Sequence, residues 1–311
     1  MLERLLIRPL APEDTGAIVS LYDRAMQSEP NIGPVQPEQW ERFIRAPQNK
    51  RGQDFRVTVI GGSVVGLAES HLKEQTDGYV RHVKLVVDPA HRRHGLATEM
   101  LRALLALDDI NASVTLHGQT RQGWAGGEGF LTAMGFQYLQ SDFMMICRDL
   151  QPISSSADDG ISFSRIANPV AHAADVARIH NAAFASDVAF FVVTAEDMTE
   201  DLRNEGDDLW LARDGDVAVG FCRIEMDESG PWLESIAINP VYQGRGIGPR
   251  LAYHALATYG ISAQRRVGLS VSSSNPNARR VYTRLGFVEH AEKRRYGCDA
   301  AKLRDRLALR G

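Results

Sequence analysis

VKLVVDPAHRRHGLAT occupies Val83 to Thr98, and SIAINPVYQGRGIGPR occupies Ser235 to Arg250. Each is an apolar, β-branched run closed by Asp-Pro or Asn-Pro, then a glycine-containing turn, then the first turn of an amphipathic helix. They mark one unit written twice: Pro89 and Pro240, Gly95 and Gly246, and the glycines of MGF (Gly135) and LGF (Gly286) are each separated by 151 residues. That period is too long for a solenoid repeat and has the size of a whole domain. The chain reads as two copies of one fold, and what differs between the copies should point to function.

The 311 residues are 44% hydrophobic and 24% charged, an ordinary globular composition in which each half can bury its own core. A net charge of −4 leaves no surplus of Lys and Arg to neutralise phosphates, which argues against a nucleic-acid partner. Cys147, Cys222 and Cys298 are odd in number, widely spaced and outside any C-x-x-C, so they read as small core or surface residues in a reducing compartment. No metal is expected. MLERLLIRPLAPED carries charges inside its first apolar stretch and lacks a signal-peptide core. No run approaches the roughly 18 apolar residues of a membrane helix. A cytoplasmic protein without a membrane partner is expected.

DLQPISSSADDG (Asp149 to Gly160) replaces periodic apolar residues with proline, serines and aspartates. This divides the chain into a domain at 1–150, a linker at 151–160 and a domain at 161–311. Both halves list their elements in one order. LLIRPL and ISFSRI alternate like strands, and each precedes a helical pattern, with Ile18, Leu21 and Ala25 in one and Val176, Ile179 and Ala183 in the other. Hairpins follow at FRVTVIGGSVVGLAES, with a Gly-Gly turn, and at DLWLARDGDVAVGFCRIE, with an Asp-Gly turn. A further strand, the glycine turn, a helix, a strand, a helix and terminal strands complete each half. The fold class is α/β with a mixed, mostly antiparallel sheet and helices on both faces.

In the second copy the turn is Gln243, Gly244, Arg245, Gly246, Ile247, Gly248, between an apolar strand and an amphipathic helix. Glycines let consecutive N–H groups converge, and the helix behind adds partial positive charge, so the turn suits a pyrophosphate. A dinucleotide fold would want G-x-G-x-x-G with an acidic residue about 20 positions on, and neither is present. The Q/R-x-x-G-x-G/A pattern after I-x-I-N-P, followed by Asn275, Ala278, Tyr282, Gly286 and Phe287, resembles the GCN5-related N-acetyltransferase (GNAT) family. The first copy matches through Arg92, Arg93, His94, Gly95, Leu96 and Ala97, so the resemblance spans nearly the whole chain as a tandem.

That resemblance implies two tandem GNAT domains and acetyl-CoA as co-substrate. The pantetheine would run beside Glu234 to Asn239, touching Ile236, Ala237 and Ile238, with Asn275 near the cofactor. The pyrophosphate would sit on Gln243 to Gly248 and, in the first copy, on Arg92 to Ala97. Pro249 removes one N–H from the second nest, and Arg245 and Arg250 are additional phosphate contacts or solvated arginines. It further implies Tyr282 as general acid to the CoA sulfur, Glu234 as base, direct or through water, and the N–H of Ile236 or Ala237 as oxyanion donor. Some relatives carry their acid where this chain has Trp232, others where it has Ser270.

The first copy differs where this chemistry resides. Val83 stands for Glu234, Leu131 for Tyr282 and Trp124 for Asn275. The N-terminal domain is expected to be catalytically degenerate, with or without bound acetyl-CoA, and His91, His94 and His117 receive no proton-transfer role. The acceptor side falls on Phe184 to Asp208 and Glu289 to Cys298. There TAEDMTEDLRNEGDD can steer a cationic amine or form a solvated helix face, and AFFVV (Ala189 to Val193) lines a pocket or lies in the core. The leading expectation is a C-terminal N-acetyltransferase acting on a primary amine of a small molecule. A non-catalytic acetyl-CoA sensor and a peptide N-terminal acetyltransferase are the alternatives. Oligomeric state is open, since pairing of the two copies within the chain permits a monomer.

Overall fold

A computed structural model of the chain describes residues 5–29, 35–45, 54–75, 78–106, 114–153, 159–185, 192–203, 206–227 and 230–309. They form two compact units, one of Met1–Gln140 with Lys293–Gly311 and one of Ser141–Glu292. The element order of the first half is β1 (Leu6–Pro9), α1 (Thr15–Ser28), α2 (Pro37–Arg45), β2 (Phe55–Ile60), β3 (Ser63–Gln75), β4 (Gly78–Val87), α3 (Leu96–Leu105), β5 (Val114–Arg121), α4 (Ala125–Ala133) and β6 (Gln137–Cys147). The second half repeats it as β7 (Ile161–Arg165), α5 (Ala173–Phe184), α6 (Ala195–Asp201), β8 (Asp208–Asp214), β9 (Val217–Asp227), β10 (Gly230–Ile238), α7 (Ile247–Ala257), β11 (Val267–Ser272), α8 (Pro276–Arg284) and β12 (Phe287–Asp299). A last helix, α9 (Ala300–Ala308), follows.

The terminal strands are exchanged between the halves of the sequence. In the first unit Lys293–Asp299 of β12 pairs antiparallel with β5. In the second, Asp142–Cys147 of β6 pairs antiparallel with β11. Among the described residues, parallel pairing is confined to β4 with β5 and β10 with β11, so each sheet is mixed and mostly antiparallel.

Apolar spacing explains the layers. Ile18, Leu21 and Ala25 are fully buried, and α1 and α2 pack on one face of the first sheet with Trp40, Phe55 and Leu67. The opposite face buries Leu101, Leu116, Phe136 and Leu303 beneath α3, α4 and α9. In the second unit α5 and α6 cover Leu211, Phe221 and Ala237. On its other face α7 and α8 cover Leu233, Leu269 and Phe287. Cys147, Cys222 and Cys298 are buried free thiols.

Two turns carry local lessons. Gly61 and Gly62 both have positive φ, 57° and 82°, as a two-residue type I′ hairpin requires. In the second hairpin Asp214 pairs with Val217, so the loop is Gly215-Asp216, one residue later than the Asp-Gly signal implies. A register shift between Ala212 and Arg213 restores the inward pattern. Of the linker, residues 154–158 lie outside the described residues. Gln151 donates its N–H to the Leu285 carbonyl at 3.1 Å. The Asp149 carbonyl approaches Gly286 (φ 95°) so closely that a Cβ has no room, which explains the glycine of LGF.

Residues 1–150 expressed alone lack β12 and α9, and should be insoluble or molten by circular dichroism and proton NMR. In the full chain, Leu303→Ala, at a fully buried position, should cost about 2–4 kcal/mol in chemical denaturation.

Candidate active site

β10 is where the second sheet opens. On one edge it pairs with β9 from Gly230 to Ile238, but a bulge between Leu233 and Ser235 leaves Glu234 without a partner on that strand. On the other edge it pairs with β11 only at Trp232↔Gly268 and Leu233↔Leu269. Beyond Leu233 the two parallel strands part. Trp232 lies against Gly268, where no Cβ fits, so the position that is acidic in some relatives holds a packing residue here.

Backbone parity decides which groups face the opening. Asn239 donates its N–H to the Val219 carbonyl at 2.8 Å. Alternation along an extended strand then turns the N–H of Ala237 toward β9 and those of Ile236 and Ile238 toward the open edge. Of the two N–H groups named from the sequence, that of Ile236 faces the open edge and that of Ala237 faces β9.

The faces of the fork differ chemically. Ile236, Ile238 and Tyr282 pack with the cluster beneath α7 and α8. Cys222 lies opposite Ile236 in the strand register and adds to the raised pKa of Tyr282. Tyr282 is 7% exposed, meets Phe287 edge-on at 5.9 Å, and its hydroxyl has no hydrogen-bond partner among the described residues. Burial, with a smaller contribution from Cys222, raises its pKa, so the phenol stays protonated at neutral pH. Burial alone pushes the Cys222 thiol up to about 12.

The α5–α6 face carries charge that sequence reading passed over. Arg223 and Glu225 alternate with Phe221 on β9, and Arg223, 8% exposed, reaches Asp207 at 3.5 Å and Glu225 at 3.4 Å. Glu225 has a raised pKa, first from burial, then from the negative charges of Glu234 and Asp207, with Arg223 opposing and Asp201 adding. The only signal for this cluster was the alternation R-I-E, which equally describes a solvated strand edge. Glu200 pairs with Arg203, and Asp197 caps α6 through Thr194, so part of the acidic run is structural. Residues 186–191 and 204–205, including most of AFFVV, lie outside the described residues.

The turn after β10 is shaped from within. Gln243 donates its N–H to Pro240 at 3.2 Å and its side-chain amide to the Ile238 carbonyl at 2.9 Å. Gly244 and Gly246 adopt left-handed φ of 77° and 71°. The N–H groups of Gly244, Arg245, Gly246, Ile247 and Gly248, at the start of α7, have no acceptor among the described residues. Arg245 lies over the Tyr242 ring at 5.4 Å, with Asp159 at 3.9 Å. Arg250, an alternative phosphate contact in the sequence reading, is buried against Asp159 at 2.7 Å and stacks on Phe163. Asn275 accepts the Ala278 N–H at 3.0 Å as the cap of α8.

The first unit keeps the turn and loses the fork's chemistry. Arg92 donates Nε to the Val87 carbonyl at 3.1 Å, as Gln243 does to Ile238, and its Nη1 is held by Glu29 at 2.8 Å. Arg93 and Gly95 repeat the left-handed pair with φ of 67° and 80°. Arg93 to Ala97, His94 and Leu96 included, present N–H groups without acceptors among the described residues. β4, however, pairs with β3 without a break from Gly78 to Val87, so no bulge forms. Its parallel pairing with β5 runs to Val83↔Gly118. Leu131 fills the place of Tyr282 as a core residue, and Trp124 begins α4 where Asn275 begins α8.

The profile of the acetyltransferase (GNAT) family matches residues 174–287, and that of an acetyltransferase (GNAT) domain matches residues 4–113. The chain belongs to the GNAT acetyltransferase family. It is a tandem GNAT acyltransferase. It is 30% identical to the mycothiol acetyltransferase of Actinosynnema mirum over 89% of this chain and 93% of that one. It is 26% identical to the mycothiol acetyltransferase of Amycolatopsis mediterranei over 79% and 84%. A GCN5-related N-acetyltransferase from Sphaerobacter thermophilus shares the fold with a TM-score of 0.75 at 20% identity, over 95% of this chain and 96% of that one. A tandem GNAT protein from the clavulanic acid biosynthesis pathway does so at 0.72 and 17% identity, over 96% and 99%.

Arg250 holds the Asp159 carboxyl below the usual aspartate range, chiefly by hydrogen bonding. A depressed carboxylate contributes stability above its unfolded pKa of about 3.9 and loses it as pH falls through the folded value. Asp159→Asn should therefore lower the urea midpoint at neutral pH, and the gap from wild type should close in acid.

Proposed function

We propose that the C-terminal half of this tandem GNAT enzyme transfers an acetyl group from acetyl-CoA to a primary amine of a small molecule by direct attack. The observation that supports the reading is the fork after Leu233, where β10 leaves β11, Glu234 sits at the bulge, and Ile236 and the buried Tyr282 belong to one packed cluster. Five N–H groups without acceptors among the described residues at the start of α7 and two left-handed glycines suit a pyrophosphate, with Gln243 bracing the turn. Acetyl-CoA supplies the activated thioester.

The residues divide the proton work by face. Glu234 takes a proton from the acceptor ammonium, directly or through one water, on the α5–α6 side. The Ile236 N–H, fixed by the β9 ladder, stabilises the oxyanion without reorganisation. Tyr282, protonated at neutral pH on the opposite side, gives its proton to the departing sulfur. Around Glu225 the negative charges of Glu234, Asp207 and Asp201 outnumber the one opposing cation, Arg223, which favours a cationic acceptor over an anionic one. The acceptor of the related mycothiol acetyltransferases is the first amine to test. In the N-terminal half the turn Arg92 to Ala97 holds acyl-CoA, while Lys84 stands at the fork where Glu234 stands in the other copy and Leu131 fills the place of Tyr282.

Glu234→Gln and Tyr282→Phe should each lower kcat by about 10²–10⁴-fold while leaving CoA affinity within a few-fold, read by thiol release and calorimetry. Unchanged kcat with an accepted amine would remove these roles. An acceptor whose amine is already acylated should give no thiol release.

A further inference from the structure

At the mouth of the N-terminal fork stands an amine of the protein's own. Parallel pairing of β4 with β5 ends at Val83↔Gly118, so Lys84 is the first residue past the fork, the place Glu234 holds after Leu233 in the other unit. Lys84 lies opposite Glu69 in the β3–β4 register. Its ammonium donates to Glu69 Oε1 at 2.9 Å and sits 5.0 Å from the centre of the Tyr22 ring. Tyr22 donates its hydroxyl to the same oxygen at 2.9 Å. Glu69 and Tyr22 are each 4% exposed, whereas the Lys84 side chain is 56% exposed. A nearly buried carboxylate thus holds a solvent-accessible lysine, at the first position past the fork.

We infer that Lys84 is the acetyl acceptor of the N-terminal unit, a self-modification site for acyl-CoA; this rests on the reading that the turn Arg92 to Ala97 holds that co-substrate. Lys84 transfers one ammonium proton to Glu69. The freed Nζ attacks the thioester carbonyl carbon, a C–N bond forms and the C–S bond breaks. The second nitrogen proton passes to the thiolate, so the products are Nζ-acetyl-lysine, CoA thiol and one proton on the Glu69 side. The step is a single turnover, because the amide stays on the chain. It also removes the cation facing Glu69, so the unit would carry a lasting record of its exposure to acyl-CoA.

The test uses the full chain carrying Tyr282→Phe, which silences the other copy. Calorimetry with desulfo-CoA counts sites, and peptide mass spectrometry after incubation with acetyl-CoA compares Lys84 with Lys293 and Lys302. The expected result is two sites per chain and Lys84 acetylated about tenfold or more above the other lysines, suppressed by excess desulfo-CoA and slowed about tenfold or more by Glu69→Gln. Lys84→Arg should abolish the modification and, in the chain with Tyr282 intact, leave turnover of an external amine unchanged. Two sites with Lys84 modified no faster than Lys302, or modification that desulfo-CoA does not suppress, would overturn the proposal while sparing the N-terminal binding site. One site per chain would overturn both.

Discussion

Two parallel strands that separate leave a row of backbone groups with no partner, and the rest of each unit is arranged around that unmet demand. A buried N–H or C=O left unpaired costs roughly 1–3 kcal/mol, so a fork persists only where something else meets its edge or where water reaches it. Here β10 is held on its far side by an almost continuous β9 ladder. That ladder lets the near side remain open without the strand slipping. The turn that follows obeys the same logic: Gln243 closes the loop from inside, and the N–H groups from Gly244 to Gly248 are left without acceptors among the described residues.

The two copies show how little must change to alter what a fork offers. Both end their parallel pairing at matching places, and both brace the following turn on the carbonyl that ends the strand. One extra residue at the bulge brings Glu234 to the opening in the second unit, while the unbroken β4 brings Lys84 there in the first. The neighbouring strand inverts in step, with Arg223 among acids in one unit and Glu69 with a lysine in the other. A carboxylate at one fork and a lysine paired with a carboxylate at the other accompany that one-residue difference. Arg93 accepts a left-handed φ of 67° that glycine meets more easily at position 244. The two units therefore share the turn's geometry although only the second carries a carboxylate at the bulge and a phenol beneath it.

Much of the fold was legible because it rests on local rules. Period-3.6 spacing set Ile18, Leu21, Val176 and Ile179 against the sheets, and Gly61-Gly62 announced its hairpin. The glycine turns were legible because left-handed φ leaves a residue signature. Glu234, Tyr282 and Asn275 were found by family pattern, but their surroundings were not. Arg250 reads the same whether it faces a phosphate or Asp159, and only the packing of β7 beside α7 turns it to the latter. Arg223 and Glu225 look like the polar side of a strand until α5 and α6 cover that face.

By itself the sequence determined the doubling, the element order, the mixed sheet, both phosphate-type turns and the asymmetry of the candidate acid and base. These depend on spacing and on residue-specific backbone freedom, which are local in the chain. Tertiary structure alone decided which strands close each sheet, since Lys293–Asp299 and Asp142–Cys147 find their partners far away in sequence. It alone decided that Ile236 rather than Ala237 turns its N–H to the opening, because that direction depends on a bulge and on one hydrogen bond to Val219. Register and long-range pairing are set by what lies opposite, and no single stretch of chain contains its own opposite.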